Sequence, residues 1–121
     1  MPTFRQGDVV RVPFPYTDRN TRQHRPALVV SQAAIGEADP LLWVVMITSA
    51  ANRRWPGDVS LETGHVEAGL PVPSIIRPAK IATIEASSAD RLGAIPTMLL
   101  TEVMTQIIHV LRSPEIGQSE R

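Results

Sequence analysis

Apolar positions in this chain come in short runs separated by turn-forming residues, the pattern of a small β-rich domain that ends in one helix. Gly7-Asp8 opens Val9-Val10-Arg11-Val12-Pro13-Phe14, whose β-branched residues predict a strand over about 8–14 that Pro13 and Pro15 close. The stretch Thr17-Asp18-Arg19-Asn20-Thr21-Arg22-Gln23-His24 has no apolar anchor and predicts an exposed, mobile loop. Ala27-Leu28-Val29-Val30 and Trp43-Val44-Val45-Met46-Ile47 are continuous apolar runs of strand length, as expected of central strands covered on both faces. Between them, residues 33–40 read as a linker with one helical turn.

Ser49 to Gly57 is a second polar stretch, and Asp58-Val59-Ser60-Leu61 predicts a short strand. Gly64 to Pro73, with two glycines and two prolines, is irregular. Ser74-Ile75-Ile76-Arg77 and Lys80-Ile81-Ala82-Thr83-Ile84 read as two short strands broken at Pro78, and a further strand is expected at Leu92 to Ile95. Leu100, Val103, Met104, Ile107, Ile108 and Leu111 then recur at i, i+3, i+4, i+7, i+8 and i+11, one face of a helix that Pro96-Thr97 starts. His109 and Arg112 suit its negative C-terminal end. The expected architecture is mainly β (α+β): a small curled sheet or SH3-like barrel with a C-terminal α-helix, spanning 1–113, with a frayed tail at 114–121.

The 121-residue length allows one core and one domain. The longest apolar run, Leu41 to Ile47, is far short of the roughly 20 residues of a membrane helix, and no signal-like pattern opens the sequence, so a cytoplasmic protein without a membrane partner is expected. With no cysteine, thiolate chemistry and Cys-based zinc sites are excluded, and His24, His65 and His109 lack metal-ligand spacing. Neither a metal nor another cofactor is expected. Formal net charge is zero, yet residues 1–30 carry five Arg against two Asp, whereas residues 31–76 are net acidic. Eleven of the twelve cations are Arg, the side chain that grips phosphate bidentately and stacks on bases.

Two segments carry a resemblance. Gly7-Asp8-Val9-Val10-Arg11-Val12, followed after a polar loop by His24-Arg25-Pro26-Ala27-Leu28-Val29-Val30-Ser31, resembles the N-terminal signature of the PemK/MazF toxins. Val45-Met46-Ile47-Thr48-Ser49 is similar to the family's third-strand end, and residues 73–84 are similar to its central hairpin. The resemblance implies a homodimeric barrel of a type II toxin-antitoxin system that cuts single-stranded RNA at short sequences without metal and is neutralised by a cognate antitoxin. It also implies catalytic roles for Arg25 and Thr48. Some members carry an acidic residue in the first loop and an aspartate two residues beyond the position of Arg77; here those positions are Asn20 and Ala79.

Metal-free RNA cleavage uses the 2′-OH as nucleophile and needs a proton acceptor, a clamp on the phosphorane-like transition state and a proton donor for the 5′-oxygen. A guanidinium at position 25 suits the clamp, and the Thr48 hydroxyl adds a neutral hydrogen bond. The alternatives are a surface ion pair of Arg25 with Asp8 or Glu85 and a turn-capping Thr48. His24 has the side chain for proton transfer near neutrality, but adjacent strand residues face opposite ways, so it shares a site with Arg25 only if the strand starts after it. Arg77, inside an apolar run, is either paired within the fold or aimed at a groove as a phosphate or base contact, and Lys80 is a further candidate cation. Arg53, Arg54 and Trp55 form a candidate backbone-and-stacking patch for single-stranded nucleic acid, with Arg19 and Arg22 steering RNA from the first loop. Two rival readings keep the fold: a CcdB-like toxin that poisons gyrase by binding, and an inactive module that binds RNA or an antitoxin.

Overall fold

The structure, a computed structural model, describes residues 3–15, 22–32, 35–36, 40–61 and 63–112. Six strands, β1 (Asp8–Pro15), β2 (Arg22–Val29), β3 (Leu41–Ser49), β4 (Val59–Leu61), β5 (Ser74–Glu85) and β6 (Asp90–Ala94), precede one helix, α1 (Thr97–Arg112). They form one curled antiparallel sheet in the order β4-β5-β3-β2-β1-β6. Both neighbours of β5 run the same way, so the connection from Ser49 to Val59 crosses over β5.

The continuous apolar runs are explained by cover on both faces. Val10, Val12, Ala27, Val29, Val44 and Met46 bury one face together with Phe4, Phe14 and Ile84. Val9, Leu28, Val45, Ile47, Ile76 and Val59 bury the other against Val103 of α1 and Leu70. Fully burying an aliphatic side chain of this size is worth about 1.5–3 kcal/mol, so the two clusters dominate stability. The 63–72 segment is held on β6 at very short range. Gly69 has φ +79°, and a Cβ there would strike the Leu92 carbonyl.

β3 runs two residues further at each end than its apolar run, β6 starts two residues earlier than expected, and two strands differ more. β2 begins at Arg22, five residues before its apolar run, because pairing with β1 continues from Val9–Leu28 out to Pro15–Arg22. β5 is one strand of 12 residues rather than two broken at Pro78. Its register with β3 shifts between Val45–Ile81 and Met46–Arg77, so Pro78, Ala79 and Lys80 bulge out and the missing proline N–H costs no ladder bond. The 33–40 linker contributes an isolated bridge between Ile35 and Leu41 at its described positions. Arg19, Asn20 and the 114–121 tail lie outside the described residues.

The helix lies where the periodicity predicts, yet its stripe is only half covered. Val103 is buried, whereas Ile108 is 45% and Leu111 77% exposed. With Trp43 and Ile81 these side chains line an apolar groove of about 510 Å³. No helix among the described residues is long and apolar enough to cross a membrane.

Candidate functional site

The sheet register decides which candidate side chains meet. Ala27 pairs with Met46, Leu28 with Val45 and Val29 with Val44. Arg25 and Thr48 each lie two residues beyond the last pair, Ala27–Met46, at the same end of β2 and β3. The β2–β3 ladder stops at Ala27–Met46, next to Pro26, which has no N–H to continue it. Period-two alternation puts Arg25 on the face of Ala27 and Val29, and Thr48 on the face of Met46 and Val44. Both therefore stand where one buried face runs out to the sheet end, Arg25 exposed and Thr48 half-buried.

The Thr48 hydroxyl oxygen accepts a hydrogen bond from Asn52 Nδ2 at 2.6 Å. The loop returns to β3 through a second bond, from the Asn52 N–H to the Ser49 carbonyl at 3.0 Å. With its oxygen held from the loop side, the hydroxyl keeps its own proton to donate. His24 is paired with Pro13 inside β2, one residue before Arg25, and so faces the opposite side of the sheet. The structure does not bring His24 to Arg25 and Thr48. Asp8, one candidate partner for Arg25, is engaged elsewhere: its carboxylate accepts from Arg91 Nη2 at 3.3 Å and from the Arg5 N–H at 3.0 Å.

Arg77 resolves to the first of its two alternatives. Paired with Met46, it shares the face of Thr48 and Arg25, but its side chain is 8% exposed and turned under the β3–β4 connection. Nε and Nη2 donate to Oδ1 and Oδ2 of Asp58 at 3.2 and 3.0 Å, and Nη2 also donates to the Arg53 carbonyl at 2.7 Å. The Asp58 carboxylate is 1% exposed, which makes this a buried bidentate pair. Expected as a groove cation, Arg77 is instead committed to the fold, because the crossing loop brings a carboxylate and a carbonyl directly over it.

Trp55 covers the same guanidinium, with its ring centroid 4.2 Å from Arg77 Cζ. Lys80, in the β5 bulge, places Nζ 5.8 Å from that centroid. Arg53 and Arg54 are exposed on the loop, and Ala79 exposes a methyl in the bulge where some PemK/MazF toxins carry an aspartate. Arg22 is the first residue of β2.

Sequence reasoning passed over Asp58 and Asn52. Asp58 was readable as part of a turn: in Trp55-Pro56-Gly57-Asp58, proline then glycine with φ +89° fit positions i+1 and i+2 of a type II turn. The Asp58 N–H donates to the Trp55 carbonyl at 3.1 Å, and Asp58 Oδ2 accepts from the Trp55 N–H at 2.8 Å. That the carboxylate also meets Arg77, 19 positions on, depends on the crossover and has no local signal.

Comparison with known proteins bears on the family and the fold. The model of the PemK-like, MazF-like toxin of type II toxin-antitoxin systems matches residues 5–111. No curated protein matches the chain significantly. A solved MazF–MazE structure from Deinococcus radiodurans is similar at 25% identity and TM-score 0.69, covering 98% of this chain and 100% of that one. A MazF from the same organism has 21% identity and TM-score 0.69 over 92% of this chain and 98% of its own. An endoribonuclease in complex with its cognate antitoxin, from a mycobacterial species, has 20% identity and TM-score 0.69 over 92% and 97%. At these last two identities the likeness is one of fold.

Proposed function

Since the chain belongs to the PemK-like, MazF-like toxins of type II toxin-antitoxin systems, we propose that it is an endoribonuclease that cuts single-stranded RNA without metal, through Arg25 and Thr48. The observation that carries this reading is strand alternation, which puts Arg25 and Thr48 on one face of the sheet, each two residues beyond the last β2–β3 pair, Ala27–Met46. The 2′-oxygen attacks phosphorus as its proton leaves, the bond to the 5′-oxygen breaks, and that oxygen gains a proton. The products are a 2′,3′-cyclic phosphate and a 5′-hydroxyl. Arg25 clamps two nonbridging oxygens as their charge grows, a role worth roughly 3–4 kcal/mol per preorganised donor in other enzymes. Thr48 donates its hydroxyl proton to one of the same oxygens.

A guanidinium stays protonated in proteins, so Arg25 is the clamp and not the base. His24 faces away and Ala79 offers no carboxylate, so neither is the proton acceptor. The site works in the cytoplasm, where its RNA is made and read. The uncovered strip of Trp43, Ile81, Ile108 and Leu111 supports a homodimer built on the α1 face. A cognate antitoxin, as named for the mycobacterial neighbour, neutralises the toxin.

The test incubates antitoxin-free protein with a long RNA in EDTA and maps new ends for wild type, Arg25→Ala and Thr48→Ala. Discrete cuts ending in cyclic phosphate, reduced about 100- to 1,000-fold by Arg25→Ala, are expected. A folded protein that leaves the RNA intact yet still arrests growth overturns the nuclease reading in favour of a binding toxin.

A further inference from the structure

We propose that Trp55 is a stacking platform for one unpaired base, next along the strand from the phosphate held at Arg25 and Thr48. The inference rests on the RNA reading above and adds a recognition element to it.

Three observations carry it. First, the indole is fixed from beneath. Its ring lies over the Arg77 guanidinium at 4.2 Å, and that guanidinium is held by three hydrogen bonds, two to Asp58 and one to the Arg53 carbonyl. The Trp55 backbone is tied to Asp58 in both directions, N–H to carboxylate and carbonyl to N–H. A ring anchored in this way loses little further freedom on binding.

Second, the ring remains open to solvent. Trp55 is 38% exposed while the guanidinium under it is nearly buried, so the indole shields Arg77 and keeps part of its own surface in solvent. A core tryptophan would be fully covered; a part-exposed ring over a buried cation, with Lys80 Nζ 5.8 Å from its centroid, suits a base that carries a phosphate.

Third, the place is right. Arg77 pairs with Met46 and Ile75 pairs with Thr48, so Arg77 is the diagonal neighbour of Thr48 on the same sheet face, a separation of about 7–8 Å. An adjacent nucleotide spans that gap. Around the ring stand Arg53, Arg54 and Lys80, and Lys80 Nζ, 5.8 Å from the centroid on a flexible stem, is placed to follow a phosphate. Stacking needs a base out of a duplex, so the platform selects single-stranded over paired RNA.

The experiment uses a 2′-O-methyl-blocked oligonucleotide carrying the mapped cut sequence, bound to the Trp43→Phe protein, in which Trp55 is the sole indole. Anisotropy of an end label reads binding, and indole emission reads stacking. Quenching of Trp55 on binding is expected, with affinity falling about 5- to 100-fold in Trp55→Ala and much less in Trp55→Phe. An abasic nucleotide at the flanking position should weaken wild type to the same degree and leave Trp55→Ala unaffected. Thermal unfolding of each variant separates a lost platform from a lost fold. Binding with unchanged Trp55 emission, or equal affinity and cleavage in Trp55→Ala, overturns the platform and leaves the nuclease reading standing. Failure of the unmodified protein to bind or cut any RNA overturns both.

Discussion

Removing Asp58 is expected to be the most damaging single change on the polar side of the molecule, although the residue touches no proposed substrate. In Asp58→Ala the Arg77 guanidinium loses two of its three hydrogen bonds while its side chain stays 8% exposed. Breaking a buried pair from one side costs about 3–5 kcal/mol, because the remaining charge is left without compensation. The Trp55 N–H also loses its acceptor, but in an exposed loop water replaces it. A total near 4 kcal/mol is a large share of the roughly 5–15 kcal/mol that holds a domain together. At about 4 °C per kcal/mol for a chain of this size, the melting temperature falls by about 15 °C. Urea denaturation should show a lower midpoint at unchanged m-value. The companion double variant, Asp58→Leu with Arg77→Met, removes both charges and is expected to recover most of the loss, since apolar replacements of buried pairs are often neutral. Molar salt should change the wild-type value little, because the pair is hidden from the ions that screen surface charges. A loss below about 1 kcal/mol in Asp58→Ala, the range of exposed pairs, would refute the reasoning. So would a double variant no more stable than Asp58→Leu alone.

Three further outcomes are expected. Gly93→Ala places a Cβ 2.6 Å from the Ala68 carbonyl carbon and should cost more than the usual ~1 kcal/mol of a point substitution, as should Gly69→Ala at its positive φ; both are read by thermal unfolding. Ile81→Glu with Leu111→Glu sets charges into the apolar groove and should convert a dimer to a monomer in sedimentation at unchanged far-ultraviolet circular dichroism, and persistence of the dimer would move the interface elsewhere. Ala79→Asp, in an exposed bulge, should shift stability by less than ~0.5 kcal/mol and raise the cleavage rate about 10-fold or more by supplying a proton acceptor, as measured in single-turnover kinetics.

The parts of the fold written in local pattern were legible from the sequence. The strand segments, read as seven where the structure has six, the helix from Thr97 and the curled mainly-β class all follow from runs, alternation and punctuation. What local pattern misjudged was proline. Pro78 read as a strand end because a ladder interior rejects it, but a bulge tolerates it, and whether a bulge forms depends on the partner strand. Likewise the polar residues Arg22 to His24 become strand through pairing with β1, which no propensity at those positions announces. Within the site, the opposed facing of His24 and Arg25 was readable from strand parity alone. The fate of Arg77 was not, since an apolar strand with one arginine looks the same whether the charge meets solvent, phosphate or a carboxylate delivered by a crossover.

The two interruptions of the sheet fall at the same level, next to the proposed site. Pro26 stands where the β2–β3 ladder ends, just past Ala27–Met46, and the three-residue bulge slips the β3–β5 ladder between Val45 and Met46. Above that line β3 carries Ile47 to Ser49 with ladder contact on its β5 side only. A continuous ladder would close the sheet over Arg25 and Thr48; the interruptions leave both at its open end, on the face where the crossing loop delivers Asn52 and Trp55. The anchoring energy for that loop comes from Asp58 and Arg77, residues that the reaction does not use. The proposed chemistry and the anchor of the crossing loop thereby rest on different side chains, so removing Asp58 is expected to loosen the loop that carries Asn52 and Trp55.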